Sequence, residues 1–103
     1  MLKLTFYVPM DSKEKVKEAL FLAGAGKLGH YDKCSFETVG TGQFRALKGA
    51  TPTIGEINKL EIISEVRVEM ILSDHIILDV VEALKKSHPY ETPAFDIIKC
   101  LEV

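Results

Sequence analysis

An α+β sandwich of four strands under two helices is the fold class this sequence predicts, and three observations predict it. Period-two alternation of apolar residues marks strands near the start, the middle and the end of the chain. Two intervening segments repeat apolar residues at helical spacing instead. Glycine or proline stands at most of the joins, where the chain has to turn.

The elements follow in order. Leu2, Leu4, Phe6 and Val8 alternate with Lys3, Thr5 and Tyr7, a half-buried strand that Pro9 and Met10 end. Asp11 and Glu14 then have the spacing of a capping box, with Asp11 as the cap. Val16, Ala19, Leu20 and Ala23 form the narrow apolar stripe of a first helix, closed by Gly24 and Gly26. Tyr31 to Val39 reads as a second strand with Cys34, Phe36 and Thr38 on one face, which makes Cys34 a core position. Gly40-Thr41-Gly42 reads as a hairpin turn, with Gln43 to Leu47 as its short return limb. Lys48 to Lys59, which contains Pro52 and Gly55, is irregular. Leu60 to Leu72 is the longest strand, with Val66, Val68, Met70 and Leu72 against Glu65, Arg67, Glu69 and Ile71. Ser73 caps a second helix whose stripe is Ile77, Val80, Val81 and Leu84; Lys85 and Lys86 suit its C-terminal end, and Pro89 stops it. Phe95 to Leu101 closes the sheet. Strand, helix, two strands, helix, strand, plus a glycine-rich hairpin limb, is most economically a ferredoxin-like βαββαβ domain spanning residues 1–103. Its helices cover one sheet face and leave the other in need of a partner.

Composition narrows the function classes. The 103 residues are 47% hydrophobic and 27% charged, as in a soluble globular domain with one modest core. A net charge of -2 argues against non-specific nucleic-acid binding, which needs a basic excess. No run of basic residues marks a membrane patch, no apolar run reaches spanning length, and Met1 leads straight into a strand without a signal-peptide pattern. Two widely spaced cysteines, Cys34 and Cys100, make no disulfide framework. A cytoplasmic chain with both thiols reduced is the expectation.

Three motifs bear on chemistry. Gly24-Ala25-Gly26-Lys27-Leu28-Gly29 matches the letters of a dinucleotide fingerprint but follows a helix and precedes a strand, the reverse of the order that seats pyrophosphate. It fails as a P-loop too, since Leu28 replaces the hydroxyl residue and Phe21 the first glycine. His88-Pro89-Tyr90-Glu91-Thr92-Pro93 is first of all a helix stop. It becomes a metal or proton-transfer site only if His88 and Glu91 meet His30 and Cys34 in the fold. His75 reads as exposed, and Glu65 and Glu69 as a carboxylate row facing solvent or a subunit neighbour, since pair catalysis needs a cleft.

With these segments in place, the chain resembles the inserted domain of the NGG-interacting-factor-three-like proteins, here standing alone. The resemblance rests on Gly24-Ala25-Gly26, Gly29-His30-Tyr31, Cys34-Ser35-Phe36, Gly40-Thr41-Gly42-Gln43-Phe44, Pro52, Ile54-Gly55-Glu56, Glu65-Val66-Arg67-Val68-Glu69 and His88-Pro89-Tyr90-Glu91, and covers nearly the whole chain. The segment His88 to Pro93 also resembles the closing segment of CutA divalent-cation tolerance proteins, and both groups are similar in fold to PII signalling proteins. The resemblance implies a PII/CutA-like subunit that assembles, more often as a trimer than a dimer. The parent family's dinuclear metal site belongs to flanking domains and is not carried over. Thr92 stands where an acidic residue is common, and Ala46-Leu47 departs from the usual proline-containing return limb.

The expectation is therefore a non-enzymatic, homo-oligomeric binding or regulatory module, with no catalytic residue. Its ligand- or partner-binding candidates are Gly26, Gly29, His30, Tyr31, Gly40, Gly42, Phe44, His88, Tyr90 and Glu91, expected at or near subunit contacts. A divalent metal, held by His30, Cys34, His88 and Glu91 as in an ion-tolerance protein, is the alternative and the one cofactor the sequence leaves open. A docking domain for a metal-dependent partner enzyme is the third reading.

Overall fold

The computed structural model describes all 103 residues. Strand β1 (Leu2–Pro9), helix α1 (Lys13–Leu22), strands β2 (Phe36–Arg45) and β3 (Leu60–Leu72), helix α2 (Ile77–Ser87) and strand β4 (Phe95–Lys99) follow in that order. The four strands form one antiparallel sheet in the order β2-β3-β1-β4. This is the α+β ferredoxin-like arrangement that the alternation and helical spacing predict. No helix is long and apolar enough to cross a membrane.

Register explains how the core is filled. Leu4 faces Met70, Phe6 faces Val68 and Val8 faces Val66, so the apolar sets of β1 and β3 share one sheet face. Val16 and Leu20 of α1 and Val80 and Leu84 of α2 pack into the same buried cluster. Both helices therefore lie on that face. Each fully buried Leu, Val or Phe contributes about 1.5–3 kcal/mol from apolar surface removed from water, which makes this shared face the main stabilising element. Lys3, Tyr7, Arg67, Glu69 and Ile98 point the other way, onto a face no helix covers.

Several local expectations are corrected. The Gly40-Thr41-Gly42 hairpin does not exist: β2 runs straight through both glycines, paired residue by residue with β3 from Phe36↔Glu69 to Arg45↔Leu60. The turn lies further on, in residues 46–59. β1 pairs with β3 only from Leu72 to Glu65, so residues 41–45 and 60–64 continue as a two-stranded arm past the sheet. That arm lengthens the molecule to 46 Å against 25 and 24 Å in the other directions.

The strand expected from Tyr31 starts only at Phe36. Tyr31 pairs with Leu28 in an isolated bridge, and Lys33 takes a left-handed φ of 54°. Cys34 is consequently a half-buried loop residue, not a core strand position. β4 ends at Lys99, short of Leu101. Neither expected cap forms: each helix enters through a single 3-10 turn (Met10–Ser12 and Asp74–Ile76), and no side chain bonds the exposed amides there.

Candidate functional site

Where the arm leaves the sheet, the loop 46–59 at its tip and Phe44 of β2 meet the segment after α2. His88 closes α2, its N–H bonded to the Leu84 carbonyl, and its ring turns inward until only 6% of the residue is exposed. Nδ1 accepts the Tyr90 N–H at 3.1 Å, which leaves Nε2 as the protonated nitrogen, donating to the Tyr7 carbonyl at 2.7 Å. Burial holds the imidazole below its ordinary value, against the Tyr7 carbonyl and the Glu65 charge, which pull it up. His88 is thus a neutral strut between β1 and the Pro89–Glu91 turn.

Tyr90 continues the chain of rings. It lies 5.0 Å from His88 and 6.2 Å from Phe44 of β2, centroid to centroid, tilted against both. Its hydroxyl is buried without a hydrogen-bond partner. Burial first, then the charge of the nearby Glu65, push the phenol up to about 12. Glu65 approaches without reaching hydrogen-bonding geometry. It can lie there because position 42 is glycine: a Cβ on Gly42 would overlap the Glu65 carboxylate.

The loop 46–59 is tied down from the other side. Thr51 N–H donates to Glu91 Oε1 at 2.9 Å, and the Thr53 hydroxyl donates to the Pro89 carbonyl at 2.8 Å. Between loop, arm and turn lies a cleft of about 330 Å3, lined by Tyr7, Phe44, Pro52, Ile54, Glu65, Tyr90 and Glu91 among others. Gly40 and Gly42 border a second depression beside it, with Thr38 and Arg67.

The candidates therefore divide. Gly40, Gly42, Phe44, His88, Tyr90 and Glu91 come together within a single chain. Gly26, Gly29, His30, Tyr31 and Cys34 sit at the opposite end of the sheet, where Gly26 N–H bonds the Ile71 carbonyl and Gly26 accepts from Cys34 N–H. Ile71 is six residues from Glu65 along β3, about 20 Å at the rise of a strand. The four-residue metal set is accordingly not assembled in one chain. His88 has both ring nitrogens engaged, and no three His, Cys, Asp or Glu side chains stand close enough to hold a metal ion.

Sequence reasoning missed Tyr7 and Glu65 as part of this site. The available signal was a glycine at position 42 within reach of a glutamate on the paired strand. Reading residues 40–42 as a turn concealed that they pair with β3.

No family model matches the chain. A Bacillus subtilis protein named "GTP cyclohydrolase 1 type 2 homolog" is 46% identical over 95 residues, 92% of this chain and 26% of its own length. Its namesake in Mycobacterium tuberculosis is 45% identical over 92% of this chain and 25% of its own. The chain thus spans about a quarter of the length of these relatives. Among solved structures, a Bacillus cereus protein related to NIF3 superposes with a TM-score of 0.80 at 36% identity, over 93% of this chain and 24% of its own. CutA1 from Pyrococcus horikoshii superposes with a TM-score of 0.72 over 100% of this chain and 86% of its own; at 21% identity that likeness concerns the fold alone. The chain is similar in sequence to a quarter-length segment of the GTP cyclohydrolase 1 type 2 homologs and of a NIF3-related protein, and similar in fold to nearly a whole CutA1 chain.

Proposed function

We propose that this chain is a non-catalytic binding module that works as a homo-oligomer, with copies of itself covering the open face of its sheet. The single observation that carries this reading is the one-sidedness of the fold. Two helices bury one sheet face, while the other presents Ile98, 49% exposed, and Phe36, 68% exposed, beside Lys3 and Glu69. Apolar side chains of that size on an uncovered sheet favour association. Three copies are the proposed number, following the resemblance to PII and CutA proteins. Static light scattering tests it: the account expects three times the 11.5 kDa chain mass at micromolar concentration, and a monomer under those conditions overturns it.

A docking role is a second reading, favoured by one observation. The sequence likeness is to a segment that makes up only 25 to 26% of much longer relatives. In this reading the module serves a metal-dependent partner enzyme through the arm. Co-purification of the untagged chain with such an enzyme supports it, and recovery of the chain alone rejects it.

A further inference from the structure

The cleft between the arm and the His88–Ala94 segment has a chemistry of its own. At about 330 Å3 it lies within the range that takes small organic molecules. Its walls are mainly apolar, Phe44, Pro52 and Ile54 among them, and its charged lining is of one sign. Glu65 and Glu91 are the only ionic side chains there; no lysine, arginine or histidine lines the cleft. Arg67 stands beside Glu65 but opens onto the neighbouring depression.

Neither carboxylate is neutralised within the fold. The side-chain ion pairs are Lys3–Glu69, Lys13 and Lys17 with Glu37 and Glu14, Lys33–Glu18, Lys59–Glu56 and Lys86–Glu82, so Glu65 and Glu91 belong to none of them. Glu91 gives one oxygen to the Thr51 amide and keeps the other. The Tyr90 hydroxyl lies buried beside Glu65 and brings no positive charge to it, so the Glu65 carboxylate keeps its full charge at the cleft.

We propose that this cleft binds a small organic cation, an ammonium or amidinium on a flat apolar body. Its head rests on Glu65, with Glu91 adding charge of the same sign, and its body lies against Phe44, Pro52 and Ile54. Tyr7 and Tyr90 add aromatic faces that suit a cation. Phosphates and carboxylates are repelled by the same two glutamates. Every residue that lines the cleft comes from one chain, so the probes below read it directly on that chain.

Three probes of similar size test it by amide chemical-shift titration of the labelled chain: benzylammonium, benzyl alcohol and benzoate. Benzylammonium is expected to shift the Gln43, Thr53 and Tyr90 amides, which line the cleft, with a Kd of about 1 mM, fitting for so few atoms. Benzyl alcohol is expected to bind about tenfold more weakly, the worth of one charged hydrogen bond, and benzoate not at all. Glu65→Gln keeps the shape and is expected to lower benzylammonium affinity about tenfold, with Glu91→Gln giving a smaller loss. The proposal is overturned if benzoate or the alcohol binds as well as the amine. It is equally overturned if a natively folded Glu65→Gln binds unchanged, or if no cleft amide moves. Should Glu65→Gln fail to fold, the wild-type probe series decides alone.

Discussion

At the scale of single residues, His88 is a polar side chain whose removal the fold should feel. It satisfies two backbone groups from inside the protein and packs on Tyr90, so His88→Ala is expected to cost about 2–4 kcal/mol in urea unfolding. Its titration adds a pH dependence of known sign. The unfolded chain takes up this proton near 6.5 and the folded chain only at lower pH, so the folded state binds fewer protons in between. Stability should therefore fall as pH drops below about 6.5, and His88→Gln should flatten that fall in urea midpoints measured across the window. Tyr90→Phe makes the opposite case: it deletes a buried hydroxyl that has no partner, so it should leave stability unchanged or raise it by up to about 1 kcal/mol. The motif His88-Pro89-Tyr90-Glu91 was legible in the sequence as a segment worth attention. Its partners were not, because the Tyr7 carbonyl that His88 grips is 81 residues away and a backbone atom carries no sequence signature.

At the scale of elements, legibility followed burial. β1, β3 and the two helices each bury one face, and one-sided burial imposes a period on the sequence that can be read back. β2 is an edge strand exposed along most of its length, so nothing selected an alternating pattern there, and its two glycines read as a turn. The loop 46–59 is held by the Glu91 and Pro89 contacts, which no local pattern announces. Glycine substitutions separate these roles. Gly40 has open space where a Cβ would go and no positive φ, so Gly40→Thr should be neutral or stabilising by about 0.5–1 kcal/mol in thermal unfolding. Gly26 has a φ of +82°, and a Cβ there would come within 2.9 Å of Phe21 and 3.0 Å of the Cys34 carbonyl. Gly26→Ala should cost at least about 1–2 kcal/mol in the same assay. Equal effects at the two sites would contradict the placement of β2.

At the scale of the whole molecule, the one-sided sandwich was the most legible feature, since both helices and both central strands place their apolar residues on a common face. What the sequence left unread was where the extra glycine-rich limb goes: it is the far end of β2 and β3, drawn out past β1 by about five residues on each strand. An arm of that kind, together with an uncovered sheet face, is geometry that a second copy can complete. Sedimentation equilibrium of the wild-type chain beside Ile98→Glu tests this most directly, because Ile98 lies on the uncovered face, paired with Lys3, and outside the buried core. The account predicts a wild-type trimer and a variant that keeps its fold but sediments as a monomer. A wild-type monomer, or a variant that associates as well as the wild type, would contradict it.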